Sequence, residues 1–158
     1  MSELDVRIVE LEAMRVASAH AYSASPEGDA LNKLIAWAKP KGLLDDPEAH
    51  RIFGFDNPTP GPGSPNYGYE FWIEVGPGVE PEGEIKVKDF SGGLYAVTRC
   101  EVRGDPGVII PSTWKKLVAW REESGYSYAH HQWLEKHIGP MEEPQGEFVL
   151  DLYMPIVG

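Results

Sequence analysis

The sequence has one cysteine, Cys100, in 158 residues, so no intrachain disulfide can brace the fold. No apolar run approaches the length that crosses a bilayer. The first residues, Met1-Ser2-Glu3-Leu4-Asp5, are acidic and lack the basic and then apolar stretches of a secretory signal. Together these absences point to the cytoplasm. Basic residues are also scarce: 14 Lys and Arg stand against 25 Asp and Glu, a net charge of −11. The longest basic pairing is Lys115-Lys116. Nucleic acid and anionic lipid require clustered cations, so neither is expected as a partner. Cationic ligands are attracted, although the same acidity also serves solubility alone. No Walker-type phosphate loop is present, because the Gly-rich stretches fall at turns. His20, His50, His130, His131 and His137 show no HxxxH or HxH spacing. Neither a metal site nor a cofactor is expected.

What is present is a repeat. Lys33-Leu34-Ile35-Ala36-Trp37 parallels Lys116-Leu117-Val118-Ala119-Trp120 at an offset of 83 residues, and Gly42 and Gly125 keep that offset. Tyr69 to Ile73 parallels Leu150 to Met154 at offset 81, as Ile52-Phe53-Gly54 does Trp133-Leu134-Glu135. Met14 to Ala17 parallels Leu94 to Val97 at offset 80. The split falls near Val79 to Gly83, giving repeat one at about 1–80 and repeat two at about 81–158 of one fused domain. Each copy reads β-α-β-β. A β-rich stretch (Val6 to Tyr22; Glu84 to Val102) precedes an amphipathic helix, with Leu31, Leu34, Ile35 and Ala38, or Trp114, Leu117, Val118 and Arg121, along one face. Ser112 is the expected N-cap of the second helix, with Pro111 before it. Pro40 and Gly42 stop the first helix and Gly125 the second. Two strands then follow, near Arg51 to Phe55 and Tyr67 to Val75, and near Gln132 to Ile138 and Glu147 to Ile156. The Pro-rich segment Asn57 to Asn66 reads as a long surface loop. The fold class is therefore α+β: an antiparallel sheet with two main helices, pseudo-two-fold symmetry and a ligand groove between the repeats.

Strand alternation places Tyr69, Phe71, Ile73 and Val75 on one face, and Leu150, Leu152, Met154 and Ile156 on its equivalent. These apolar faces suit the helices. The opposite faces carry Glu70-x-Trp72 and Asp151-x-Tyr153, which read either as a solvated sheet face or as pocket walls. Trp133, Glu135 and His137 share a face. A carboxylate between aromatic groups suits a delocalised cation, and burial would raise its pKa toward that of a general base. An exposed edge-strand glutamate is the competing reading. Cys100 reads as a packing residue.

This layout resembles the GyrI-like small-molecule-binding domain, the effector-binding module of multidrug-responsive AraC-type and MerR-type transcription activators, which also occurs alone. The resemblance rests on Gly92 to Val97, Trp114 to Trp120, Leu134-Glu135-Lys136-His137 and Leu150 to Ile156. It implies that Glu135 faces a ligand in a pocket, with Trp72, Tyr95 and Tyr153 among the aromatic walls; Glu70, Trp133 and His137, from the strand alternation, complete the expected ligand-binding set. His137 stands where the family often has tyrosine, and the Asn57–Asn66 loop is long for it. With no helix-turn-helix ahead of the first strand, a stand-alone member is expected. The resemblance implies binding of small hydrophobic or cationic aromatic molecules. The alternatives are a hydrolase that opens cyclopropane-bearing genotoxins, with Glu135 as base and Tyr153 or Tyr95 as hydrogen-bond donor, and an inhibitor of a protein partner such as gyrase. A protein partner is marked by no sequence feature.

Overall fold

The computed structural model describes residues 4–46, 49–57, 63, 65–138 and 148–157. Residues 58–62 and 64 of the Pro-rich segment lie outside the described residues, so the surface-loop reading is not addressed there. The described chain is α+β. Its elements run β1 (Val6–Leu11), β2 (Met14–Ser23), α1 (Pro26–Ala38), β3 (Ile52–Asp56), β4 (Tyr67–Val75), β5 (Lys86–Phe90), β6 (Gly93–Val102), α2 (Pro106–Ser124), β7 (Ser127–Tyr128), β8 (Leu134–Ile138) and β9 (Phe148–Val157). No described helix is long and apolar enough to cross a membrane.

Two compact units result. One is Ala13–Phe90, with strand order β3-β4-β2-β5 and helix α1. The other joins the residues before Ala13 to those after Phe90, with order β1-β6-β9-β8, β7 beside β9, and helix α2. The repeat is visible as β2-α1-β3-β4 and β6-α2-β8-β9, all ladders within it antiparallel. About the split expected near Val79 to Gly83, the opening strands are exchanged. β1 pairs with β6 and β5 with β2. The Glu12-Ala13 link contains neither the Gly nor the Asn of a two-residue hairpin turn, and β1 does not fold back on β2.

The helices follow local chemistry. Pro26 opens α1; Ala30, Leu34, Trp37 and Ala38 form its buried side. The helix tightens over Lys39–Lys41 and stops at Gly42, whose φ of 75° needs glycine. Helix α2 starts earlier than the Ser112 cap implies. Asp105 accepts the Gly107 N–H at 2.9 Å, Pro106 takes the first turn, and Pro111 and Ser112 lie inside the helix. Asp-Pro supplies both a cap acceptor and a residue with no N–H to satisfy, and so outcompetes the later Pro-Ser pair.

Directly paired residues share a sheet face. In the second unit Ala96, Cys100, Leu150, Leu152, Met154 and Ile156 pack with Leu117 of α2, as the apolar alternation implies. The opposite faces are not solvated. Glu70, Trp72, Asp151 and Tyr153 are 2%, 7%, 3% and 5% exposed. The ladders also correct one alignment. Trp72 pairs with Ser18, and Tyr153 with Val97. Since Trp72 and Tyr153 are equivalent, Ser18 corresponds to Val97 at offset 79 rather than 80. A one-residue slip reverses every side chain in a strand.

Gly54, the counterpart of Glu135, shows how the copies diverged. An added Cβ at Gly54 would overlap the Tyr69 ring, which stacks edge-on against Phe71 with centroids 5.0 Å apart. Alanine normally suits a strand better than glycine, so the sign of Gly54→Ala is diagnostic. We expect a loss of about 1–3 kcal/mol from overpacking, read as a lower urea midpoint; a gain would show that Tyr69 yields freely.

Candidate ligand-binding site

The first pair of expected site residues forms a closed polar network. Glu70 lies on β4 and accepts from Lys88 Nζ (2.6 Å), Ser18 Oγ (2.6 Å), Trp72 Nε1 (2.7 Å) and Asn57 Nδ2 (2.9 Å). Burial alone would raise its pKa. The hydrogen bonds from Lys88, Ser18, Asn57 and Trp72 outweigh burial and hold the pKa below the ordinary 4.5. Trp72 packs edge-on against Phe55 at 4.9 Å and against Phe90 at 5.2 Å. Its indole N–H and its ring are both engaged, so it braces the interior of its unit.

The equivalent carboxylate is Asp151 on β9. Arg99 Nε donates to it at 2.5 Å, Arg99 Nη2 at 3.3 Å and Arg7 Nη2 at 3.0 Å. Tyr153, two residues on, meets Tyr95 at 5.3 Å, and Tyr95 meets His131 at 4.8 Å. Tyr95 is fully buried and donates its hydroxyl to Gln132 O at 2.5 Å. Burial raises its pKa, with the neighbouring Tyr153 adding to the shift. Tyr95 therefore anchors the chain before β8; its hydroxyl is committed.

Glu135 stands on the other face. On β8, Leu134 pairs with Tyr153, whereas Glu135 pairs with Leu152 and His137 with Leu150. Glu135 and His137 thus share the α2 side of the sheet, and Tyr153, Tyr95 and Asp151 lie on the reverse. The expected catalytic pairing of Glu135 with Tyr153 or Tyr95 is not assembled, because adjacent register positions alternate faces. Glu70 and Trp72 lie in the other compact unit. Among the described residues no group of three His, Cys, Asp or Glu is arranged to hold a metal ion.

A different aromatic set surrounds Glu135. Its half-buried carboxylate accepts the Trp114 indole N–H at 3.2 Å. The Trp114 ring lies 5.4 Å from Trp133, and Trp133 lies 5.7 Å from Tyr128. Trp133 and Tyr128 remain 36% and 41% exposed. The Arg121 guanidinium sits 3.7 Å over the Tyr128 ring and donates to Tyr126 O at 3.0 Å. Its Nε is buried with no hydrogen-bond partner among the described residues, so the aromatic face carries much of its contact. Burial lowers the pKa of His137 to about 4. His137 is therefore neutral near pH 7 and adds no positive charge beside Glu135. Burial also raises the Cys100 thiol, and Glu135 adds to the shift against a hydrogen bond with Thr113. Cys100 remains a packing thiol.

The sequence marks Trp133, Glu135 and His137 as one face but not the helix and loop partners. Trp114 shares a stripe with core Leu117, and nothing in helical spacing separates a core indole from one that binds a carboxylate. Arg121 lies on the same stripe, and Tyr128 lies in a two-residue strand too short to read.

The Glu70 network makes stability depend on acid. A carboxyl whose folded pKa is depressed contributes fully above its unfolded value and loses that contribution as pH falls through the folded value. We expect Glu70→Gln to cost about 1–3 kcal/mol at pH 7, from the lost charge-assisted hydrogen bonds. Urea unfolding of wild type and variant should converge as pH falls below about 4.5. A constant difference down to pH 3 would contradict an ionised, internally bonded Glu70.

The chain shares its fold with proteins of known structure. Residues 4–157 match the GyrI-like small molecule binding domain. No protein of curated function matches the chain. The fold is similar to the C-terminal domain of EcmrR, at 16% identity, 98% coverage of both chains and a TM-score of 0.70. The chain spans only 57% of EcmrR in its DNA complex, where 96% of this chain aligns at 17% identity and a TM-score of 0.69. It is also similar to a hydrolase from Listeria innocua (10% identity, 99% and 94% coverage, TM-score 0.65). SAV2435 bound to tetraphenylphosphonium aligns at 8% identity, 98% and 95% coverage and a TM-score of 0.54. These identities speak for the fold alone. The family match spans nearly the whole chain, which therefore belongs to the GyrI-like small molecule binding domain family.

Proposed function

We propose that this domain binds flat, hydrophobic cations at the cluster of Glu135, Trp114, Trp133 and Tyr128. The observation that carries the reading is the Arg121 guanidinium 3.7 Å over Tyr128. The aromatic cluster already holds a planar, delocalised cation of the chain's own. A ligand with the same character gains from the exposed face of Trp133 and from the Glu135 carboxylate together. Trp114 orients that carboxylate through its N–H and limits its freedom to turn toward solvent. Neutral His137 adds no positive charge on the Glu135 face of that strand. The net charge of −11 favours approach of cations at long range.

As a hydrolase base Glu135 would have to act without Tyr153 or Tyr95, since both point from the opposite sheet face. Binding needs no such partner, and is the better supported of the two activities.

Tryptophan fluorescence tests this directly, with tetraphenylphosphonium as the cation and triphenylphosphine oxide as a neutral aryl comparison. Saturable quenching by the cation should weaken about tenfold in Glu135→Gln, with the neutral compound changed by less than about twofold. Trp133→Ala should weaken both. Equal losses for cation and neutral compound, or no saturable quenching by either, would overturn the assignment. Turnover of a cyclopropane-bearing electrophile that disappears in Glu135→Gln would convert the binder into a hydrolase.

A further inference from the structure

The first unit carries a polar feature of its own. A cleft of about 310 Å³ is lined by Ser18, His20, Asn57, Glu70, Glu84, Lys86 and Lys88. Its two acids are already engaged. Glu70 takes four donors, three of them on one oxygen. Glu84 takes Lys33 Nζ at 2.9 Å. His20 Nε2 lies 2.6 Å from the carbonyl of Asn57, which can only accept, so this nitrogen carries a proton. The cleft also offers a ligand the hydrogen-bond donors of two lysines. Lys88 spends one N–H on Glu70 and has two more. Lys86 is exposed and has no hydrogen bond or ion pair among the described residues.

Comparison of the copies shows why Lys86 is in surplus. Lys86 pairs with Ser18, and Arg7 pairs with Val97, the equivalent position. Arg7 bonds its buried carboxylate, Asp151, at 3.0 Å. Lys86 does not bond Glu70, because Lys88 does so from a position that is Val9 in the other copy. One copy closes its buried acid with the cation at this site. The other closes it from the next position along the strand face and leaves a lysine over the same cleft.

We propose that this cleft is a binding site for a small anion, a carboxylate or phosphoryl group held by Lys86 and the remaining N–H groups of Lys88. The anion would sit over a neutralised Glu70–Lys88 pair, with the Ser18 side of the cleft as its wall. Two lysine donors suit a compact oxyanion through charge-assisted hydrogen bonds.

Amide NMR of the whole protein tests the assignment, with sodium phosphate and sodium acetate titrated against sodium chloride at matched ionic strength. Saturating shifts confined to Ser18, His20, Asn57 and residues 84–88 are expected. Lys86→Gln should raise the apparent Kd about tenfold, the loss of one charge-assisted contact. Lys115→Gln, in the other unit, should leave it unchanged. Stronger saturation by phosphate identifies a phosphoryl ligand, and stronger saturation by acetate a carboxylate. Shifts that chloride reproduces, or a Kd indifferent to Lys86→Gln, would overturn the site. Lys86 is exposed, so the variant's spectrum also reports that the fold is intact.

Discussion

Each copy buries one carboxylate on its closing strand, and the rest of the architecture is arranged around that cost. An ionised group out of water is strongly unfavourable unless its lone pairs are met. Glu70 is met by donors from β2, β4 and β5 and from Asn57, just past β3. Asp151 is met from β1 and β6. In both cases one donor comes from the exchanged opening strand, Lys88 on β5 and Arg7 on β1. The exchange is thus more than an accident of connectivity: an opening strand that paired elsewhere would take one cation from each buried acid. The same bonds pin register, since a slip of one residue would carry each carboxylate to the apolar helix side.

Duplication supplied two equivalent frames, and divergence then gave them different chemistry. Where copy two has Glu135 on its helix side, copy one has Gly54, with the Tyr69 ring in the space a side chain would need. Only copy two therefore has a carboxylate at this helix-side position, where it accepts the Trp114 indole N–H. In the opposite sense, copy one has the cleft with a surplus lysine, whereas the arginine at that site in copy two is consumed by Asp151. The proposed cation and anion sites thus rest on one scaffold that differs in which positions carry charge and which carry bulk.

The electrostatics of the Glu135 cluster depend on what is absent from its own face as much as on what is there. His137 is kept neutral by burial, so the nearest titratable residue on β8's helix side does not quench the field. Arg121 lies at the Tyr128 end, bound through its ring contact and the Tyr126 carbonyl. The charge and the π surface are thereby separated along a line of rings, which suits a ligand whose positive charge is spread over aryl groups.

The sequence by itself determined the duplicated β-α-β-β order, the helix stops at Gly42 and Gly125, and the common face of Glu135 and His137. These rest on local periodicity and turn stereochemistry, which act over a few residues. It also marked Glu70 and Asp151, but not their fate, since alternation cannot distinguish a solvated face from a buried one. Burial of that face, the partners that satisfy its acids and the exchange of β1 and β5 were decided by tertiary structure, because they depend on residues up to 144 positions apart. The position of the second helix start was likewise decided by competition between two Pro-containing caps. The separation of Tyr153 from Glu135 was decided by register: a single-residue step between adjacent strands selects the face, and only long-range pairing sets that step.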